Sequence, residues 1–463
     1  MKLLDTIAAV STPVGKGGVA LIRISGSEAV SVGERVFSPR CGKALSQLAA
    51  GNMSYGTIWS VQDGLRQPLD DGMAVVFRGP RSFTGEDTVE ITCHGGVLIT
   101  REVLSAVLAA GARHAEAGEF TRRAFLSGKM RLTEAEALGK LLEAGTKDQM
   151  ALARSGLEGR LSARLEELYG EMRRVLSSVY AVIDFPDEDL SEMSREEMAE
   201  ALQRVWDGID TLCRTYRTGR AVSEGIATVL CGPTNAGKSS LYNQILGYDA
   251  AIVTDVAGTT RDVLRQTASL GRVTLLLCDT AGFRRTEDPV ESIGIERSLQ
   301  AMGEAELILA VFDGSQALTE EARELARQIA KTGVTSVAVC NKCDLGVNAL
   351  DEETAACFTE TVTLSAKDGM GMEELRQTVE RLFCDGALDL RNDAIVSDAR
   401  QQAALVRSRE TLSEALEELR VGLPLDLCCV GIECAMSALG EVDGREIGEE
   451  IVSEIFSRFC VGK

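Results

Sequence analysis

The chain is 463 residues long, which predicts about three domains, and its 70 acidic residues against 49 basic ones leave a net charge of −21. That charge disfavours a broad, direct electrostatic grip on RNA, and an aromatic content of 4% disfavours base-stacking platforms. The 13 cysteines lack metal-ligand spacing, Asp5 interrupts the short apolar run a signal peptide would need, and no apolar stretch is long enough to span a membrane, so a cytoplasmic protein with no membrane partner is expected.

From the N-terminus, residues 1–118 show glycine-rich turns and short alternating apolar runs such as Val19-Ala20-Leu21-Ile22-Arg23-Ile24, the pattern of an α+β domain. The Gly15-Lys16-Gly17-Gly18 turn precedes its strand rather than following one, which argues against a dinucleotide site. His94 and His114 are the only two histidines, so histidine acid–base chemistry is not expected, and His94 reads as a brace for a glycine turn. Further on, Leu161, Leu165, Leu168, Met172, Leu176, Val179 and Ile183 recur at helical spacing and mark an amphipathic helix of bundle type. The Pro186-Asp187-Glu188-Asp189 turn then separates helices as a solvated acidic corner. Ile447, Ile451, Ile455 and Phe459 repeat the helical spacing at the tail, where Cys460 ends the helix. The two helical stretches predict one helical domain interrupted by an inserted domain.

The insertion carries the clearest chemistry. Thr228-Val229-Leu230-Cys231 reads as a strand running into Gly232-Pro233-Thr234-Asn235-Ala236-Gly237-Lys238-Ser239, with a helix from Ser239 to Leu246. In such a loop glycines let backbone N–H groups curl around a β-phosphate, Lys238 reaches the β/γ oxygens, and the Ser239 hydroxyl holds Mg²⁺ at the helix N-terminus. The polar segment Thr254-Asp255-Val256-Ala257-Gly258-Thr259-Thr260-Arg261-Asp262 reads as switch I, with Thr260 as the second hydroxyl ligand of Mg²⁺. The strand Val273–Cys278 ends in Asp279-Thr280-Ala281-Gly282, where Asp279 can hold the Mg²⁺ shell and the Gly282 amide can sense a γ-phosphate. Ser336–Cys340 runs into Asn341-Lys342-Cys343-Asp344, and the Asp344 carboxylate can accept two hydrogen bonds from guanine, which adenine does not offer. Thr361–Leu364 leads to Ser365-Ala366-Lys367, whose backbone N–H would meet guanine O6. The expected GTP-binding set also includes Ser240. Strands and helices alternating from about Val222 to Phe383 predict one parallel α/β P-loop GTPase domain with its ligand at the carboxyl ends of the strands.

Phe283 follows Gly282 and cannot align an attacking water, so another group must do so and another positive charge must meet the phosphoryl transition state. The Asn235 amide oxygen, with switch I carbonyls, can bind a monovalent cation there; Arg261, Arg284 and Arg285 are rival sources of charge.

Asp5-Thr6-Ile7-Ala8-Ala9-Val10, Arg23-Ile24-Ser25-Gly26, Ser82-Phe83-Thr84-Gly85-Glu86-Asp87, His94-Gly95-Gly96, Gly118-Glu119-Phe120-Thr121, Ile183–Glu188, Gly258–Asp262 and the terminal Cys460-Val461-Gly462-Lys463 together resemble the MnmE (TrmE) family of tRNA-modification GTPases. The resemblance covers essentially the whole chain. It implies that Asn235, Thr254, Val256 and Thr259 surround K⁺ and that Glu291 polarises the attacking water through a second water. It implies that Arg23, Glu90, Lys129 and Lys463 contact a 5,10-methylene- or 5-formyl-tetrahydrofolate. By the same resemblance the protein is a homodimer that forms a heterotetramer with the FAD-containing MnmG and acts on C5 of the tRNA wobble uridine. A basic partner holding most of the tRNA reconciles that role with the charge of −21. Cys460 is read either as a packing residue or as a catalytic thiol. The family loop usually reads Gly-Arg-Pro-Asn where this chain has Gly232-Pro233-Thr234-Asn235, which bears on the geometry at the start of the loop. The expected division is an N-terminal folate-binding and dimerisation domain at 1–118, a helical domain at 119–215 and 385–463, and the G domain at 216–384. Two rivals are a ribosome-assembly GTPase, for which no basic RNA-binding module is seen, and a folate-binding protein whose G domain only controls assembly.

Overall fold

The computed structural model describes residues 5–13, 15–62, 65–184, 193–248, 265–278, 303–346, 350–446 and 448–462, and the chain divides into two compact units, 1–139 with 440–463 and 140–439. In the first unit, strands β1 (Ile7–Val10), β2 (Val19–Ser25), β3 (Phe37–Pro39), β4 (Ser54–Gln62), β5 (Leu65–Phe77), β6 (Thr88–His94) and β7 (Arg113–His114) form a sheet in the order β3-β4-β5-β6-β2-β1-β7. All neighbours are antiparallel except β1 and β7. Alternation along each strand sorts the two faces. Ile22, Ile24, Val89 and Ile91 point into a core closed by Val32 of α1 (Ala29–Val36) and Val103 and Val107 of α2 (Val97–Ala109). Arg23 and Glu90 therefore fall on the opposite face, paired in register. There Ile7, Ala9 and Ala115 pack against Phe120 of α3 (Glu119–Leu126). The Gly15–Gly18 connection follows β1 as well as preceding β2, contrary to the expectation. It still excludes a dinucleotide turn, because it leads into an antiparallel strand and not into a helix. At the other end of the chain, Val452 and Phe456 of the helix Glu449–Ser457 bury against Leu132 and Ala135 at the start of α4 (Leu132–Glu143).

The second unit holds α5 (Lys147–Leu157), α6 (Arg160–Asp184) and α7 (Arg195–Ser223), then a six-stranded sheet, then α12 (Ala399–Arg420) and most of α13 (Leu425–Asp443). Leu161, Leu165, Leu168, Met172, Leu176 and Val179 of the expected stripe are all buried, each worth about 1.5–3 kcal/mol of transfer free energy; the Ile183 side chain lies outside the described residues. Capping boxes start α5 at Thr146 with Gln149 and α7 at Ser194 with Glu197. The sheet comprises β8 (Ile226–Cys231), β9 (Arg265–Leu270), β10 (Val273–Cys278), β11 (Leu307–Asp313), β12 (Thr335–Asn341) and β13 (Glu360–Thr363), ordered β13-β12-β11-β8-β10-β9. Around it lie α8 (Lys238–Tyr248), α9 (Glu320–Thr332), α10 (Glu352–Ala355) and α11 (Met372–Phe383). It is not wholly parallel: β9 runs antiparallel to β10. Only two residues, Gly271 and Arg272, join them, and so short a connection makes a hairpin.

Candidate functional site

The phosphate loop leaves β8 at Gly232, whose φ of 142° a side chain would rarely adopt and where an added Cβ would strike the Val311 carbonyl. Asn235 and Gly237 continue at φ of 60° and 96°. Lys238 then folds back, its Nζ donating to the carbonyls of Gly232 and Pro233, each at 2.7 Å, so its ammonium sits inside the loop. Ala236 is buried, while Asn235, Ser239 and Ser240 are exposed at the start of α8, where helix N–H groups favour anions.

Asn341, at the start of the Asn341–Asp344 segment, ties this loop to the Ser365–Lys367 segment. Its Nδ2–H donates to the Ala236 carbonyl at 2.9 Å, and its Oδ1 accepts from the Ala366 N–H at 2.9 Å. The residue is 2% exposed, and an added Cβ on Gly237 would fall onto its amide nitrogen. Lys342 pairs with Asp313 at 2.7 Å; burial pushes the Asp313 carboxyl up, but its bonds to Lys342 and Ser315 outweigh this and hold it below the usual carboxylate range. Asp344 and Lys367 are exposed and Ser365 is fully buried. Loops from β8, β12 and β13 thus meet at the carboxyl edge of the sheet, where doubly wound folds bind ligands. Thr254, Asp255, Val256, Ala257, Gly258, Thr259, Thr260, Asp279, Thr280, Ala281, Gly282, Phe283 and Glu291 lie outside the described residues, as does Lys463.

A second cluster occupies the first unit. Arg23 Nε donates to Glu90 Oε1 at 2.8 Å, and the guanidinium lies 5.2 Å from the Phe83 ring centroid and 5.7 Å from that of Phe120. Among the described residues neither terminal nitrogen of Arg23 nor Glu90 Oε2 has another protein partner, so a donor edge and an acceptor edge remain beside aromatic faces. That donor set fits a pterin ring and its anionic tail. Lys129 is exposed and its Nζ donates to the Pro80 carbonyl at 2.9 Å, apart from that pair in contacts. The C-terminal tail is stitched to the same unit: the Gly118 N–H donates to the Cys460 carbonyl at 3.3 Å, Val461 bridges to Ala117, and Ser11 Oγ donates to the Gly462 carbonyl at 2.9 Å. Cys460 does not end the helix, which stops at Ser457 because these pairings take over the backbone. Its side chain is exposed.

Sequence reasoning missed the hub under this cluster. Arg123, 2% exposed, donates to Asp5 Oδ1 at 2.7 Å, to Glu119 Oε1 at 2.9 Å and to Glu86 at 3.3 Å, while Arg113 grips Glu119 with two nitrogens. Burial raises the Asp5 and Glu119 carboxyls, but the two arginines overcome it and hold both below their ordinary values. His94 is fixed by Asp70, which accepts from the His94 backbone N–H and meets its Nδ1, each at 2.8 Å; beside it Gly17 N–H donates to the Gly95 carbonyl.

Two family models match this chain: the MnmE helical domain over residues 132–460 and the GTP-binding protein TrmE N-terminus over residues 6–129. A tRNA modification GTPase MnmE of Heliobacterium modesticaldum is 41% identical over 467 residues, covering 99% of both chains. Its counterpart in Symbiobacterium thermophilum is 42% identical over 463 residues, with 99% of both chains covered. That of Lactobacillus delbrueckii subsp. bulgaricus is 39% identical over 460 residues, covering 99% of this chain and 98% of the relative.

Proposed function

The chain belongs to the MnmE family of tRNA modification GTPases, and from that membership we propose that it hydrolyses GTP to GDP and phosphate in the service of tRNA modification. The observation that carries the nucleotide part is the Asn341 bridge, which holds the phosphate loop and the Ser365–Lys367 segment around one space. In this reading Lys238 exchanges the Gly232 and Pro233 carbonyls for β/γ-phosphate oxygens, and the exposed Asp344 carboxylate accepts the two guanine N–H groups. In the Ser365-Ala366-Lys367 segment the Ala366 N–H is held by Asn341 Oδ1, so the Lys367 backbone N–H is the one that would meet guanine O6. Ser239 and Thr260 would hold Mg²⁺, and Asn235 with Thr254, Val256 and Thr259 would hold K⁺; Glu291 would orient water through a second water.

We further propose the finer assignment. The group added is an aminomethyl or carboxymethylaminomethyl at C5 of the wobble uridine (position 34), made by a homodimer of this chain in a heterotetramer with MnmG. Arg23, Glu90, Lys129 and Lys463 would bind 5,10-methylene- or 5-formyl-tetrahydrofolate, with Cys460 as the thiol nearby. When bound, the metal ions supply countercharge to the phosphates and the folate supplies the carbon. The domain division at 1–118, 119–215 with 385–463, and 216–384 belongs to the same reading. Among the described residues no helix is long and apolar enough to cross a membrane; the cytoplasmic setting belongs to the proposed reading. Mass spectrometry of tRNA nucleosides from a strain lacking this chain tests the proposal: the C5 group on the wobble uridine should vanish and return on complementation. Unchanged tRNA would overturn it.

A further inference from the structure

The turn Gly271-Arg272 is unusually well held for a two-residue hairpin. Gly271 has φ of 64°, and a Cβ there would land on Glu380 Oε1. That oxygen accepts from the Arg272 N–H at 2.8 Å and from Arg376 Nη1 at 2.8 Å. The Arg272 side chain reaches the other way and donates from Nη1 to the Leu388 carbonyl at 2.9 Å. Leu388 belongs to the linker between α11 and α12, and it packs with Leu152, Val222, Leu390 and Ile395. Two residues beyond the turn, Thr274 Oγ1 donates to the Val222 carbonyl of α7 at 2.9 Å in a buried setting. Both chain crossings between sheet and helices, the end of α7 and the 384–398 linker, are therefore bonded to one end of one hairpin.

The other end of that hairpin adjoins the nucleotide-sensing motifs in sequence. Two residues separate the Thr254–Asp262 segment from the start of β9, and β10 ends directly before Asp279-Thr280-Ala281-Gly282. The paired strands form a stiff lever about 20 Å long, six residues at roughly 3.4 Å each. A cavity of about 880 Å³ opens beside the turn, lined by Asp148, Arg272, Arg376, Glu380 and Cys384. Helix-internal pairing with Arg376 would satisfy Glu380 without any hairpin, and a hairpin turn requires no contact with a distant carbonyl.

We infer that Arg272 and Glu380 are positioning residues that fasten the β9–β10 hairpin to the linker, so that a nucleotide-driven shift at the switch end is delivered to the helices. This rests on the GTPase reading above. Arg272→Ala in the full chain removes the link to Leu388, Arg272→Lys restores one donor, and Gly271→Ala expels Glu380 by an independent route. Spectroscopic probes carried by non-natural amino acids at exposed Glu321 and Glu414 report the distance between sheet and helices in GDP and in GDP–aluminium fluoride. The wild type should show a nucleotide-dependent distance change that Arg272→Ala and Gly271→Ala abolish and Arg272→Lys recovers, with GTP turnover within about two-fold and tRNA modification down about ten-fold, a loss typical of coupling between sites. A distance change that persists in both variants, or is absent from the wild type, would overturn the inference, as would turnover falling as far as modification. If the wild type shows the distance change but modifies no tRNA, the function reading fails while the coupling stands.

Discussion

Replacing Asn341 tests whether one buried amide assembles the nucleotide site. Asn341→Ala leaves the Ala236 carbonyl and the Ala366 N–H without the partner each now has at 2.9 Å. Leaving a buried polar group unsatisfied costs about 1–3 kcal/mol, so two such groups set a range of roughly 2–6 kcal/mol, which water entering the small gap pulls toward the lower half. If about 3 kcal/mol of that falls on the arrangement that binds nucleotide, GDP affinity drops about 100-fold. Asn341→Asp keeps the acceptor for Ala366 but aims a carboxylate oxygen at the Ala236 carbonyl, so at pH 8 it should lose at least as much. Asp344 is exposed and bonds to neither loop, so Asp344→Ala should cost guanine affinity while the melting temperature holds. Titration of a fluorescent GDP, with thermal unfolding run in parallel, separates the cases. Wild-type affinity together with a wild-type melting temperature in Asn341→Ala would show that the loops are held by something else.

Four further outcomes are expected. Asp5 and Glu119 have folded-state pKa values below their unfolded ones, so their stabilisation is present above the unfolded value and lost as pH falls through the folded one; urea midpoints of the first unit should decline on acidification below about pH 4, and Arg123→Leu should flatten that decline. Exchanging K⁺ for Na⁺ should slow GTP hydrolysis in the wild type and make little difference in Asn235→Ala, as read by phosphate release. Glu291→Ala should bind GTP as the wild type does while its single-turnover hydrolysis slows, and equal rates would remove Glu291 from the chemistry. Gly462 has φ of 96° and an added Cβ would strike the Val10 carbonyl, so Gly462→Ala should free the tail and lower tRNA modification with GTP turnover intact.

The elements legible in the sequence were those whose periodicity is undiluted. The apolar runs of β8, β10 and β12 end in their motifs, and the α6 stripe is buried at every described position. β9 was not legible because Arg265-Gln266-Thr267-Ala268-Ser269-Leu270 carries polar residues on an edge strand, where only Ala268, Ser269 and Leu270 are buried among its described side chains. The end of the C-terminal helix was misjudged for a different reason. Its apolar spacing continues to Phe459, which packs on Phe456, but the backbone beyond Ser457 bonds to Gly118, Ala117 and Ser11, partners more than 300 residues away that no local pattern encodes.

The same physics explains why the second cluster could be recognised without being understood. Asp5, Glu86 and Glu119 stand in three separate segments that carry the family resemblance, and each looks locally like a surface acid. All three converge on Arg123, which belongs to none of those segments and is almost fully buried. A buried guanidinium demands several carboxylate partners, and those partners come from wherever the chain passes. The hub lies under the Arg23–Glu90 face: Glu86 also accepts from Ser25 on β2, two residues from Arg23, and Phe120, one residue from Glu119, stacks on the Arg23 guanidinium. Loss of Arg123 should therefore disturb the candidate folate face through Ser25 and Phe120 even though Arg123 would touch no ligand, so its effect on folate affinity should exceed that of an equally destabilising change elsewhere in the first unit's core, such as Val103→Ala on the opposite face of the sheet.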